Sequence, residues 1–439
     1  MKQFFFHLYR IYFEVAKLDK NPDLQICLRK HLLVKIKKLH ILKRQPFNYD
    51  TNSFFHTTKN NASRLNFLCK FASQKNRTYE MPLIILSVIL LVLLLIQAVF
   101  YILPAFAMQK DEGHKPKTDQ PAVSVIIACR NELQNLKSNL QYIVKQKYPE
   151  FEIIIADDNS TDGTSDYIAE LAKTFPNVKL VENKESGKKS ALSNGIRAAS
   201  YEHLVFTDAD CRPATEHWIA GIISQFDAEN PLVLGYGELS GKTFAARFSS
   251  YDATLIALQY LGFASLGHAY MAVGRNIAYS RKLWGTVGGF GSHSDIASGD
   301  DDLFVKDAAR HIHPTVCVSS EAKTISPAKE TFAKLFRQKS RHVSTSVKYS
   351  MLDKFLSGGE IVTRTLFFAV AIAMLFVNWK FALAFVIVRL VFVMLSLAKF
   401  CSKTKSDFNL FMSLIFDIFA PIFYVALMFY KIFNRETKW

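Results

Sequence analysis

The chain has 439 residues, of which 50% are apolar, 13% aromatic and 21% charged, with a mean hydropathy of +0.09. Half of its side chains favour leaving water, which excludes a disordered or low-complexity protein; the average of very greasy and ordinary stretches is that of a membrane protein carrying a soluble domain. The net charge of +16 is unevenly held: residues 1–80 carry 16 Lys+Arg against 5 Asp+Glu, and the rest 38 against 33. Nucleic-acid binding would rest almost wholly on that first segment, whose apolar residues are irregularly spaced, so no nucleic-acid partner is expected. Six Cys without a CxxC pair argue against a disulfide framework and a Cys-rich zinc site.

In chain order, the basic segment 1–80 stops at Met81, directly before Pro82-Leu-Ile-Ile-Leu. The expectation is that Met81 is the initiator and residues 1–80 are upstream sequence; the alternative is a basic extension lying on a membrane surface. Residues 81–107 form an uncharged apolar stretch long enough to cross a hydrocarbon core of about 30 Å, and too long for the core of a cleaved signal peptide. A polar linker, 110–120, leads into a soluble domain over 121–350. There, short β-rich runs (Val123–Ala128, Glu152–Ala156, Val178–Val181, His203–Thr207) alternate with helical patterns (Glu132–Val144, Thr164–Thr174, Ser190–Ala199). That alternation predicts βαβ units, an α/β fold and a parallel, doubly wound sheet, with ligands at the carboxyl ends of strands. Three apolar stretches follow within 361–433: about 361–377, 381–399 and 408–432. They read as transmembrane or re-entrant helices. Arg389 and Asp417 interrupt them, and charges at membrane depth are costly enough to predict either a path-lining pair or a structural ion pair. Lys137, Lys145, Lys147 and the basic run from Lys334 to Arg341 predict a cytoplasmic soluble domain.

Four constellations carry chemistry. Asp157-Asp158 ends the second strand, where a carboxylate either caps a turn or accepts hydrogen bonds from a nucleobase or ribose. Asp208-Ala209-Asp210 ends the fourth, and two carboxylates one residue apart converge readily on Mg²⁺ or Mn²⁺. Gly187-Lys188-Lys189 opens a helix, a basic N-terminus suited to an anionic nucleotide or simply a solvated cap. Asp300-Asp301-Asp302 places three carboxylates side by side, so at least one needs a cation, a helix N-terminus or a raised pKa, and such a group suits general-base work. Gln338-Lys-Ser-Arg341-His342 lies in a basic helical pattern just before the membrane.

Taken together, these motifs resemble the inverting family 2 glycosyltransferases, above all the membrane-bound branch with the cellulose, chitin, hyaluronan and poly-N-acetylglucosamine synthases. The resemblance covers about Pro121 to His342. It implies a two-layer, nucleotide-sugar-binding (GT-A-like) fold with a mostly parallel sheet. It also implies roles: Asp157 and Asp158 at the nucleoside, Lys188 beside them, Asp208 and Asp210 holding Mg²⁺ or Mn²⁺ on the diphosphate, and Asp300 as general base. Gln338, Arg341 and His342 match the family's Q-x-x-R-W. Two departures stand out: Gly299 replaces the usual Glu before Asp300, leaving Asp301 as an alternative base, and His342 replaces the Trp. Arg275-Asn276 and Trp284 are expected on the acceptor side.

The implied reaction moves a hexosyl or N-acetylhexosaminyl group from a nucleotide-diphosphate sugar to a glycan or lipid hydroxyl, with inversion. The expected setting is a bacterial inner membrane, with membrane lipid around the helices and an export partner or homo-oligomer as further partners. The alternatives are a processive polysaccharide synthase, a metal-dependent nucleotidyltransferase and a non-catalytic nucleotide-binding scaffold.

Overall fold

The computed structural model describes residues 80–108, 120–226, 229–296 and 298–434; the basic segment 1–79, on which the expected start at Met81 turns, lies outside the described residues. Among the described residues, one compact unit takes in 80–88 with Phe376–Asn378 and the other 89–375 with 379–434. In the first, residues 80–88 are helical and Asn378 leaves helical geometry (φ −156°, ψ 97°). The second holds the domain and the site.

Helix α1 (Glu80–Ala107) is long and apolar enough to cross a membrane. Then come β1 (Val123–Cys129), α2 (Leu133–Val144), β2 (Phe151–Asp157), α3 (Thr164–Thr174), β3 (Val178–Glu182), α4 (Lys188–Ala198) and β4 (His203–Phe206). These match the alternation read from the sequence. Further on are β5 (Arg212–Pro213), α5 (Trp218–Ile223), β6 (Leu232–Gly235), β7 (Gly237–Ser240), α6 (Phe244–Ser265), β8 (Ile277–Ser280), α7 (Arg281–Thr286) and α8 (Asp302–Ala308). The chain continues through β9 (Thr315–Cys317), β10 (Thr324–Pro327), α9 (Phe332–Val343), α10 (Met351–Thr404) and α11 (Leu410–Phe433).

The main sheet runs β3-β2-β1-β4-β8-β6-β9. Its first four strands are parallel, and β8 lies antiparallel to both β4 and β6. The sheet is therefore mixed where a doubly wound one would be parallel throughout. Its inner strands are continuous apolar runs because both faces are covered. On β1, Ile126 joins Leu192 and Ile196 of α4 on one face, while Val125 and Ile127 join Leu136, Leu140 and Ile143 of α2 on the other. A smaller sheet, β5-β10-β7, lies beside it.

Register sets the site. Cys129 pairs with Asp157 and Ile126 with Phe206, so the parallel strands end at one edge. The reversed β8 begins opposite Phe206, at Ile277, and so brings the preceding Gly274–Asn276 turn to that same edge.

Helix α10 is not a single rod. Glu360 and Arg389 would stand roughly 40 Å apart on a straight helix at 1.5 Å per residue, yet their side chains approach to 3.8 Å. The helix therefore folds back on itself between these two residues. Both ends are tied to the soluble domain. Tyr349, just before α10, donates to Asp302 at 2.6 Å. After α10, Ser406 Oγ and the Asp407 N–H donate to Glu238 of β7 at 2.7 and 3.0 Å, while Lys323 donates to the Lys405 carbonyl at 2.7 Å.

Arg389 and Asp417 pair directly, and both are fully buried. Arg364 sits 2.9 Å from Glu360 and 3.5 Å from Asp417, Tyr101 donates to Glu360 at 2.5 Å, and Gln97 accepts from Arg389. Two cations and two anions thus balance inside α1, α10 and α11. The geometry is that of a sealed structural cluster, the second of the two roles expected for these charges.

Candidate active site

The cleft opens at the carboxyl edge of the sheet and is lined by Lys188, Asp208, Gly274 and Asp300 over a floor that includes Leu192 and Phe206. Lys188 is its centre. Gly187, at φ 119°, is the N-cap that turns the chain into α4, a conformation glycine adopts without steric penalty. This aims the Lys188 ammonium at Asp300 (2.9 Å) and Asp208 (3.1 Å). Burial works against that charge, but Asp208, Asp300 and Asp301 outweigh it and hold Lys188 well above its usual pKa.

Asp158 builds the loop before Lys188. Its carboxylate accepts from the Gly187 N–H at 2.8 and 3.0 Å and from Asn183 at 2.8 Å, with Arg130 at 3.6 Å. Asp157 is turned into its own loop, accepting from the Ser160 N–H at 3.2 Å and from the hydroxyls of Ser160 and Ser165. The structure therefore puts Asp158 one residue from the central lysine and uses Asp157 as a turn cap.

Asp208 and Asp210 follow β4. Ligand atoms of Asp208, Asp210 and Cys211 all lie within 4.8 Å of one another. Burial, then the charge of Asp208, push the Asp210 carboxyl up. Two crowded carboxylates with one half-exposed mouth form an oxygen-rich donor set that fits a hard divalent cation.

The three adjacent aspartates part company at the start of α8. Asp300 faces Lys188; burial opposes its ionised form, but the lysine prevails and its carboxyl is held below the usual range. Asp301 accepts from the Gly274 N–H and from the Asp302 N–H, each at 2.8 Å. Burial and the charges of Asp300 and Asp302 push Asp301 up to about 7. Asp302 accepts from Thr345 at 2.7 Å and Tyr349 at 2.6 Å.

The same Thr345 hydroxyl lies 2.9 Å from the His342 carbonyl, so its single proton is shared between that carbonyl and Asp302. The end of α9, with Arg341 and His342, is thereby stapled to the acidic cluster, while Gln338 sits half-buried one turn earlier. His342 is solvent-exposed, yet protein surrounds its ring at longer range. That surrounding, with Lys339, Arg341, Arg275 and Lys188, lowers its pKa and keeps it neutral. Lys188, Asp208, Asp300 and Asp301 meet around Gly274, and Asp158, Asp210 and His342 each join them through a neighbouring loop or turn. Gly274 itself carried no sequence signal: an added Cβ there would lie 3.6 Å from Asp300, Asp301 and Lys188 alike.

Arg275 and Asn276 spend their donors on backbone carbonyls. Arg275 donates to the Gly237 carbonyl at 2.9 and 3.0 Å. Asn276, fully buried, donates to the carbonyls of Tyr236 and Ala322 and accepts from Trp218. They join the two sheets, because turn carbonyls buried between sheets need donors. Trp284 packs edge-on to Phe290, 6.3 Å between ring centres.

Residues 124–284 match the profile of Glycosyl transferase family 2. The chain is 31% identical over 137 residues to Glycosyltransferase AglE of Haloferax volcanii, a stretch covering 30% of this chain and 45% of that protein. It is 41% identical over 90 residues to a poly-beta-1,6-N-acetyl-D-glucosamine synthase of Staphylococcus epidermidis, covering 20% of this chain and 21% of that one. The matches thus span less than half of either relative. Among solved structures, the mannosyltransferase PcManGT of Pyrobaculum calidifontis, in complex with GDP-Man and Mn²⁺, superposes with a TM-score of 0.50 at 20% identity, covering 74% of this chain and all of that one. This last likeness is one of fold.

Proposed function

We propose that the chain, whose residues 124–284 match the profile of Glycosyl transferase family 2, is a glycosyltransferase that moves a sugar, with inversion, from a nucleotide-diphosphate sugar to a hydroxyl of a membrane-associated glycan or lipid. The observation that carries this reading is Lys188, held between Asp208 and Asp300 at the carboxyl edge of the sheet. A cation flanked by a metal-fitting pair and a candidate base is what displacement of an anionic leaving group requires.

Asp158 fixes the loop that meets the nucleoside. Asp208 and Asp210 would hold Mg²⁺ or Mn²⁺, which when bound offsets charge on the diphosphate. Lys188 and Arg341 face the same developing charge. The acceptor oxygen attacks the anomeric carbon as the bond to the diphosphate oxygen breaks, and Asp300 takes the acceptor's proton. One displacement turns an α-linked donor into a β-linked product. As a diphosphate draws Lys188 towards itself, Asp300 loses the partner that keeps it acidic and becomes a better base. The apolar helices fit a membrane setting, and the basic flanks support a cytoplasmic active site. The sealed Arg389–Asp417 cluster favours one or a few transfers by a single chain over extrusion through its own helices.

The test is a panel of radiolabelled donors, UDP-N-acetylglucosamine and GDP-mannose among them, given with Mn²⁺ to membranes containing the protein. Label appearing in lipid or polymer, together with release of nucleoside diphosphate, supports the reading. Release of sugar 1-phosphate, the leaving group when the nucleotidyl group is the one transferred, would favour a nucleotidyltransferase, and no label from any donor would overturn the reading.

A further inference from the structure

Helix α9 ends beside the cleft, where Thr345 just after it bonds Asp302 and Lys188 is near enough to act on His342, but part of what fixes the helix lies outside. Asp252, on α6, is 1% exposed. One of its oxygens accepts from the Tyr424 hydroxyl of α11 at 2.6 Å, and the other pairs with Lys339 of α9. One carboxylate therefore ties three helices. The preceding residue, Tyr251, donates to Asp417 and accepts from Arg364, each at 3.1 Å, so the buried charges of α10 and α11 reach the same turn of α6.

Lys339 is within one helical turn of Gln338, Arg341 and His342. On the apolar side, α9 rests on α11 through Phe336, stacked on Phe423 at 4.9 Å and on Tyr430 at 5.5 Å. Such ring contacts leave the helix free to slide or roll, whereas the Lys339–Asp252 ion pair anchors one point of it. At the far end, Thr345 and Asp302 hold the cleft side. The helix is thus gripped by two carboxylates, Asp302 at the active site and Asp252 at the membrane helices.

We propose that Asp252 is a positioning residue: through Lys339 it sets the rotation of α9 against the membrane helices, and so places Arg341 and His342 at the cleft. Its catalytic consequence rests on the glycosyl-transfer reading above; its structural consequence does not. Without the carboxylate, the Lys339 ammonium loses its counter-charge in a site where its side chain is only 17% exposed, and it turns out to water, carrying α9 with it.

Two readouts test this in Asp252→Asn. The first is the distance between spin labels at Lys334→Cys on α9 and Lys282→Cys on α7, with Cys27 and Cys69 replaced by Ser. The second is the KM-against-kcat split with the labelled donor that the panel selects. The expected result is a shifted or broadened distance distribution, and a kcat lower by about 10-fold or more with donor KM changed less than about threefold. Lys339→Met should reproduce both, and the double variant should be no worse than either single one, because both substitutions remove the same interaction. If Asp252→Asn does not fold, Lys339→Met is read in its place. An unchanged distance distribution in a folded variant overturns the proposal, as does a loss of kcat without movement of α9. If the wild-type chain transfers no sugar at all, the functional reading fails, and the distances alone decide the role of Asp252.

Discussion

Replacing Asp300 by Asn tests the centre of the mechanism. The amide keeps the size and an oxygen that can still accept from Lys188, now 2.9 Å from Asp300 and 3.1 Å from Asp208. Because Asp208 remains, the lysine is not left as an uncompensated buried charge, and the loss of stability should stay below the ~3–5 kcal/mol of a fully broken pair. What disappears is the proton acceptor. General-base catalysis contributes about 10²–10⁴-fold, which corresponds to roughly 2.7–5.4 kcal/mol of barrier at 1.36 kcal/mol per decade. The assay is steady-state transfer from the labelled donor, with nucleotide binding measured separately by calorimetry. The expected result is a kcat lower by that factor with nucleotide binding retained. Turnover within about tenfold of wild type would refute the assignment, and a larger loss in Asp301→Asn than in Asp300→Asn would move the base to Asp301.

Asp208→Ala and Asp210→Ala should each abolish the Mn²⁺-dependent part of nucleotide binding in calorimetry while leaving any metal-independent part. With Asp301 pushed up to about 7, its proton is lost as pH rises through neutrality, which adds negative charge beside Asp300 and raises that group's proton affinity. The kcat/KM profile should therefore climb through about pH 7 and lose this limb in Asp301→Asn. The same shift has a stability sign: the folded value lies above the roughly 3.9 of an unperturbed Asp, so Asp301's contribution is complete in acid and is lost as pH rises through about 7. Thermal unfolding across that window should show a flatter slope in Asp301→Asn. Arg389→Leu leaves Asp417 and Glu360 short of a cation inside the helices and should destabilise the protein by about 3–5 kcal/mol, read as a fall in melting temperature in detergent. Replacing Arg389 and Asp417 by Leu together should cost less than Arg389→Leu alone.

The alternation of apolar runs and amphipathic patterns up to Phe206 was legible because each strand is short, buried on both faces and followed by its own covering helix. The carboxylates at strand ends were legible for the same reason: in a parallel sheet, residues after consecutive strands share an edge. Beyond Asp210 the local signal fails. β5 to β10 are two to four residues long and pair with strands distant in sequence, so no periodicity announces them. Arg275 and Asn276 show the limit: their residue types suit a binding site, but the reversed β8 turns them between the two sheets. Gly274, which has no side chain to mark it, became part of the cleft through that same reversal.

Which residues carry charge, where the chain is greasy enough to enter a membrane, and which loops end parallel strands are properties of the sequence alone, since each is set within a few neighbouring residues. Which aspartate of Asp300, Asp301 and Asp302 faces Lys188, and how Arg389 finds Asp417, were decided only by tertiary packing. Those partners lie dozens or hundreds of residues away, and in a buried site the distance to a counter-charge determines what an ionisable group can do.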